Sequence, residues 1–369
     1  MRLPYRKRDI TSSAYYAALD SMEGIADIEH RPPPHLLERL PFGKLLHATY
    51  PGVIVAVTVG LAATFLSQHY GAPVMLFALL LGLAFHFLHE EGRCVAGIEF
   101  CSRTVLRVGV GLLGLRITLG QISSLGIEPI LVILVGVATT TLLGHGLARR
   151  MALGRYFGLL SGGAVAVCGA SAALAISTAL PPHPEKERDT ILAVVAVTTL
   201  STIAMIFYPL LVASLGLDHT HAGIFLGGTI HDVAQVVGSG YMISQETGDI
   251  ATYVKLLRVA TLIPLVLIIS LTLARGSGHT TAGGRAAFPL FLFGFAALVV
   301  IGSLVHLPAA LLETATNVSS ACLVTAIAAL GMKTSFKTLV EVGWRPVAVM
   351  VAETAWIGLL VLLAVEFLL

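Results

Sequence analysis

The chain is poor in charge. Only 12% of its 369 residues are Asp, Glu, Lys or Arg, about half the roughly 25% carried by a soluble globular domain. That leaves too little polar surface to cover a water-facing body, which excludes a soluble enzyme. Cysteine is scarce too. Cys94, Cys101, Cys168 and Cys322 form no CxxC and have no His-rich neighbour, so they read as small buried hydrophobes. There is no HExxH and no GxSxG, and no Ser or Cys stands at an evident nucleophile position, so no catalytic residue and no metal site is proposed. The basic start (Arg2, Arg6, Lys7, Arg8) leads into no apolar run, so it does not read as a signal peptide. A net charge of +2 gives no reason to expect a nucleic-acid partner.

Apolar sequence is what the chain has in abundance: 56% of residues are hydrophobic and the mean hydropathy is +0.87. The apolar residues come in blocks: Gly52–Leu66, Ala72–Leu88, Ile130–Leu147, Thr190–Leu215, Tyr253–Ala274, Phe288–Leu304 and Val347–Leu369. Many approach the ~20 residues that cross the hydrocarbon of a bilayer as helix. In lipid a helix satisfies its own backbone, whereas barrel strands would alternate apolar and polar residues. The expected fold is therefore an all-α polytopic membrane protein surrounded by lipid. Eleven segments are expected, at about 51–67, 72–88, 94–117, 128–148, 157–180, 190–215, 221–244, 251–274, 287–306, 312–332 and 346–369. If two of them fail to span, nine do. Residues 1–50, with their Arg31–His35 proline run, read as a cytoplasmic lead-in, with His35–Leu46 suited to an interfacial amphipathic helix; residues 51–369 form the membrane domain.

The chain also repeats itself. Gly114–Pro129 reads GLRITLGQISSLGIEP and Gly331–Pro346 reads GMKTSFKTLVEVGWRP. At one fixed offset, without gaps, Gly114/Gly331, Gly126/Gly343 and Pro129/Pro346 are identical, and Leu115/Met332 and Arg116/Lys333 are conservative. At nearly the same offset Pro73–Phe77 faces Pro289–Phe293. Repeat A (about 51–150) and repeat B (about 251–369) thus flank a glycine-rich centre, 157–244. Seven segments, an odd number, separate the paired elements. The second copy is then upside down if every segment spans, or if both central ones do not. Inverted repeats are the architecture of secondary transporters, with the site between the halves.

Lys and Arg set the orientation. With the N-terminus inside, Arg93, Arg103, Arg149, Arg150, Arg155, Arg275, Arg285, Lys333, Lys337 and Arg345 fall inside and Arg116 outside. The loop Pro181–Asp189, with Lys186 and Arg188, misfits unless 157–180 and 221–244 are re-entrant or broken, which is the expectation adopted.

Those two segments hold the candidate site. The first contains Cys168, Gly169, Ala170 and Ser171; the second contains Gly228, Thr229, His231, Asp232 and Gln235. They open alike, Gly158-Leu-x-x-x-Gly-Gly163 against Gly223-Ile-x-x-x-Gly-Gly228. Glycine weakens a helix, and unwound backbone at membrane depth is tolerated only where it is buried in protein or lines a water-filled cavity. Close packing of small residues is the competing explanation. An ionisable His231–Asp232 pair inside an apolar segment normally faces a polar interior. Asp232 could carry a coupling ion, H⁺ or Na⁺, with His231 as relay or as donor to an anion; a buried pair tying two helices together is the alternative. Residues 168–171 would present backbone N–H groups where a half-helix begins, which suits an oxyanion. Asn317 and Ser319 add neutral donors, and Glu313 and Arg107 are weaker candidates.

The strings VCGASAALA at Val167–Ala175, GTIHDVAQVVGSG at Gly228–Gly240 and AALGMKTSF at Ala328–Phe336 resemble the signature stretches of the YeiH family, bacterial inner-membrane proteins named as sulfate exporters. The resemblance runs from about residue 50 to the C-terminus, and the long lead-in departs from it. It implies a multi-pass protein of the bacterial inner membrane, inverted repeats with discontinuous helices as in cation/proton antiporters, and a central site lined by Cys168–Ser171 and His231–Gln235. The function expected is export of a small anionic substrate, sulfate or a sulfonate-related oxyanion, with ion coupling and no other cofactor; the alternative is a Na⁺/H⁺-type antiporter. A homodimer is one assembly left open.

Overall fold

A computed structural model describes residues 42–334 and 344–368 apart from 91, 155, 182, 278–289 and 306. The lead-in up to residue 41, most of the anticipated interfacial helix and the linker 335–343 of the second repeat lie outside the described residues. The protein is all-α. Its helices are α1 (Phe42–Tyr70), α2 (Val74–Ala84), α3 (Phe87–Glu90), α4 (Val95–Phe100), α5 (Leu106–Leu113), α6 (Leu119–Ser124), α7 (Glu128–Arg150), α8 (Phe157–Ala166) and α9 (Ala170–Ala179). They continue with α10 (Lys186–Leu215), α11 (His219–Thr229), α12 (Val233–Ile243), α13 (Gln245–Ala260), α14 (Leu262–Ser277), α15 (Leu290–Leu304), α16 (Ala309–Lys333) and α17 (Trp344–Phe367). A π-helical turn, Cys101–Val105, joins α4 to α5. α1 begins at Phe42 rather than at the expected boundary near 51, because Pro51 sits inside the helix instead of opening it. A proline removes one backbone bond there, which a long membrane helix tolerates.

Among the described residues, six helices, or runs of helix, are long and apolar enough to cross a membrane: Ala48–Tyr70, Glu128–Arg150, Lys186–Leu215, Gln245–Leu273, Ala309–Lys333 and Trp344–Phe367. Large apolar side chains such as Leu61, Phe65, Leu142, Leu210 and Phe367 point outward on them, as surfaces in lipid require.

The repeat is written in the packing. Gly331 of α16 lies so close to α2 that an added Cβ would stand 2.5 Å from the Leu79 carbonyl and 2.9 Å from Gly82 Cα. Its counterpart Gly114 would meet the Phe295 carbonyl of α15 at 2.6 Å and Leu298 at 3.1 Å, and Phe295 and Leu298 are the residues that correspond to Leu79 and Gly82. One step further, His86 Nδ1 bonds the Met332 carbonyl at 2.7 Å, while a Cβ added at the corresponding Gly302 would stand 2.6 Å from the carbonyl of Leu115. Thus α2 packs on α16 as α15 packs on α5. The first contact set lies on the face where α2 ends. The second lies on the other face, reached through α4 and α5, so the copies are inverted.

Segments 157–180 and 221–244 are re-entrant hairpins. In hairpin 1, α8 and α9 fold back on each other: Ile176 of α9 fills the space beside Gly163 of α8. The ring of Tyr156, just before α8, packs at a tilt against that of His183, just after α9, with centroids 5.0 Å apart. Hairpin 2, α11 with α12, closes the same way. At its base the Ser244 hydroxyl lies 3.2 Å from His219 Nδ1, and Thr247 Oγ1 donates to the His219 carbonyl at 3.1 Å. Between the two bases runs α10, 30 residues without a break, about 45 Å at 1.5 Å per residue. A helix that long puts the bases on opposite sides of a bilayer, so the hairpins enter from opposite faces with their tips meeting inside. The loop 181–189 therefore shares a face with Arg149 and Arg150, which removes its misfit.

Candidate functional site

Each hairpin tip is a break with a local cause. After α8, Val167 leaves the helical region (φ −117°, ψ −90°) and Gly169 takes φ +67°, a conformation that glycine alone adopts without strain. In hairpin 2 the chain turns extended at Ile230 and at Asp232. The Asp232 carboxylate then caps α12, its Oδ1 accepting from the backbone N–H of Ala234 at 2.8 Å and of Gln235 at 3.4 Å. The tips touch: a Cβ on Gly169 would stand 3.5 Å from His231 Cβ.

Two helix C-termini, α8 and α11, converge at this point, and each carries about half a negative charge on unpaired carbonyls. Lys255 and Arg258 of α13 answer them. Lys255 is wholly buried; its Nζ donates to the Val167 carbonyl at 2.7 Å and the Ile230 carbonyl at 2.9 Å. Arg258 is 1% exposed. Its Nε donates to the Ala166 carbonyl at 2.6 Å. Its Nη1 reaches the carbonyls of Gly228 and Ile230, both at 3.1 Å, and its Nη2 donates to the Val165 carbonyl. Five carbonyls from two hairpins thus share two side chains one helical turn apart. Buried cations without such partners would cost several kcal/mol each at membrane depth.

The remaining polar groups hold the tips in register. Ser201 of α10 accepts from the backbone N–H of His231 at 3.2 Å and of Asp232 at 3.0 Å. Gln235 Nε2 donates to Thr202 Oγ1 at 2.8 Å, and His231 Nε2 meets Thr354 Oγ1 of α17 at 3.1 Å. Thr229 turns its hydroxyl back on its own helix, to the Phe225 carbonyl at 2.6 Å. His231 Nδ1 and Gln235 Oε1 are buried and make no hydrogen bond among the described residues. Ala170 and Ser171, which open α9, stay partly exposed, as does Asp232, while Val165–Cys168 are buried.

The structure therefore brings Cys168, Gly169, Ala170, Ser171, Gly228, Thr229, His231, Asp232 and Gln235 into one place, and it spreads the other candidates elsewhere. Ser319 is buried at the α16–α5 seam, its hydroxyl donating to the Gly109 carbonyl at 2.7 Å. Asn317 and Glu313 lie exposed on α16, and Arg107 is half-buried on α5. Sequence reasoning missed Lys255, Arg258, Ser201 and Thr354. Lys255 and Arg258 fall near the start of an apolar block, where cations are expected to reach for the interface. The available signal was their Lys-x-x-Arg spacing, which puts both on one face of a helix.

The fold and the hairpin pair define a class: a polytopic all-α membrane protein built on inverted repeats, with two half-membrane hairpins meeting at its centre. Comparison with known proteins places the chain among membrane proteins. Residues 51–350 match the family model described as conserved hypothetical protein 698. The UPF0324 membrane protein CT0845 of Chlorobaculum tepidum is 55% identical over 85% of this chain and 88% of its own length. The UPF0324 membrane protein TauZ of Paracoccus denitrificans is 46% identical over 89% of this chain and 98% of its own. RB0971 of Rhizobium meliloti, another UPF0324 membrane protein, is 48% identical over 87% and 94%. The chain belongs to the UPF0324 family of membrane proteins, which is the YeiH family its signature strings resemble.

Proposed function

We propose that the protein is a secondary transporter of the bacterial inner membrane that exports a small oxyanion, sulfate or a sulfonate-related product, through a site at the hairpin tips. One observation carries the reading: two basic side chains, Lys255 and Arg258, are built into the tips. The two C-terminal half-charges are matched by the two N-terminal half-charges of α9 and α12, so these basic side chains give the centre its positive character. The first turn of α9, at Ala170 and Ser171, is the partly exposed end of that charge and offers backbone N–H groups suited to an oxyanion. Neutral donors suit a substrate that must also leave.

The antiporter alternative would place Na⁺ at the same tips. A cation ~4 Å from a fixed positive charge meets a repulsion of about 4 kcal/mol at an effective dielectric of 20, and two such charges stand there. Anion transport is the reading this electrostatics favours. The charge bias of the loops supports an orientation with the N-terminus in the cytoplasm: Arg103, Arg149, Arg150, Lys186, Arg188, Lys333 and Arg345 share one face. Arg116, the one Lys or Arg on the other face among the described residues, is bonded to Asp249 at 2.5 Å and Gln245 at 2.6 Å.

The test is thermal stabilisation of the purified full-length protein by sulfate, sulfite and a panel of sulfonates, followed by flux in proteoliposomes. Stabilisation and flux by at least one of these anions are expected. If all of them fail in both assays, the oxyanion assignment is wrong.

A further inference from the structure

Glu353 takes no part in the network at the hairpin tips, yet it is wholly buried in α17. Its Oε1 accepts a hydrogen bond from Ser161 Oγ of hairpin 1 at 2.8 Å. Its Oε2 makes none among the described residues, and no ion pair there includes it. Room for the carboxyl comes from Gly144 of α7, where a Cβ would press on Oε1 and stand 2.8 Å from the Gly158 carbonyl. The next residue, His145, has a buried Nδ1 with no partner among the described residues. His145 also lines a cavity of about 300 Å³, with Arg149, Tyr156, Leu159 and Leu273, on the face that carries the basic loops.

Among the described residues, few other polar groups meet this part of α17. From α7 comes Thr139, whose hydroxyl accepts from Trp356 Nε1 at 3.1 Å; from hairpin 1, Ser161; His145 itself packs against Gly158 of hairpin 1. From α10 comes Tyr208, whose hydroxyl lies beside Gly358, and from hairpin 2 comes His231, through Thr354. The neighbouring residues Glu353 and Thr354 thus hold hairpin 1 and hairpin 2 respectively. A hydrogen bond to a carboxylate is roughly twice as strong as one to a neutral acceptor. A proton on Glu353 therefore weakens the tether of hairpin 1 while leaving that of hairpin 2.

We infer that Glu353 is a proton-binding site, filled from the cavity past His145, and that its occupancy couples proton movement to the hairpins. The proton adds to the carboxylate oxygen and returns to water by dissociation, with no other bond formed or broken. The site itself is independent of the transport reading above; the coupling rests on it.

Two measurements on the full-length protein test this. Infrared difference spectra over a pH titration should show a protonated-carboxyl stretch that is absent from Glu353→Gln and displaced in Ser161→Ala, which removes the donor to Oε1. The same band in wild type and Glu353→Gln overturns the site. In proteoliposomes, with whichever of sulfate, sulfite or the sulfonates gives flux, a gradient of about one pH unit should drive roughly tenfold accumulation in wild type, the ratio set by one coupled proton. Glu353→Gln should bring that ratio down to about one while anion-for-anion exchange continues; accumulation equal to wild type overturns the coupling. If no anion moves even in wild type, the transport reading fails, and the infrared result alone decides the proton site. Should Glu353→Gln not fold, the Ser161→Ala displacement decides: an unmoved band overturns the site.

Discussion

Replacing Lys255 by Met probes the central electrostatic arrangement most directly. Methionine keeps most of the volume, so the packing loss is small, and what disappears is the ammonium that holds Val167 and Ile230 together. Each hydrogen bond from a charged donor contributes about 1.5–3 kcal/mol, and a buried carbonyl left bare costs its full desolvation. Removing the buried charge recovers part of the price of burying it, so a net loss of about 3 kcal/mol is expected, in line with the breaking of other buried polar pairs. Thermal unfolding of the detergent-purified protein should show this as a drop of roughly 5 °C. Arg258→Lys should fall between wild type and Lys255→Met, because an ammonium has three donors and Arg258 serves four carbonyls. A Lys255→Met protein as stable as wild type would show that the tips do not depend on the cation, and the positive centre would lose its structural basis.

Three further outcomes follow from particular residues. Asp232→Asn keeps a good cap, since an amide oxygen also accepts from Ala234 and Gln235, so stability should change by no more than about 1 kcal/mol; anion exchange should persist, and its complete loss together with a cation-exchange activity in wild type would favour the antiporter. Gly169→Ala forces an L residue to φ +67° and should cost about 2 kcal/mol, seen as a lowered Tm with no change in molecular mass; an unchanged Tm would mean that the tip can rebuild. At the base of hairpin 2, the backbone N–H of His221 holds the Asp218 carboxyl below its usual range. A group lowered in the folded state adds stability above its unfolded pKa and loses it as pH falls through the folded one. Asp218→Asn should therefore flatten the acid limb of the stability profile below about pH 4, and an identical limb in both proteins would refute the cap's contribution.

Much of this architecture was written in one dimension. Blocks of apolar residues with so few charges have one stable home, a bilayer, and one backbone solution there, the helix. The repeat was legible because Gly114 and Gly331 each need to be small against a neighbouring backbone, and such a demand constrains residue type locally. Gly169 and the His231–Asp232 pair were legible for the same reason: a helix break at membrane depth requires particular residues at the break. What spacing could not decide was the direction of the chain after each break. A broken spanning helix and a hairpin share the same glycine and the same cap; only contacts such as Ile176 against Gly163, or Tyr156 against His183, distinguish them. The role of Lys255 and Arg258 was hidden for a related reason. Their partners are carbonyls of Val165–Val167, Gly228 and Ile230, groups that every residue carries, so no side-chain pattern marks them. Glu353 likewise gains its environment from Ser161 and Gly144, far away in the chain. Sequence determined the membrane, the helices, the repeat and where the backbone breaks, because these depend on side chains and their near neighbours. Tertiary structure alone decided which charges are buried and what they face, because burial depends on residues that meet only after folding.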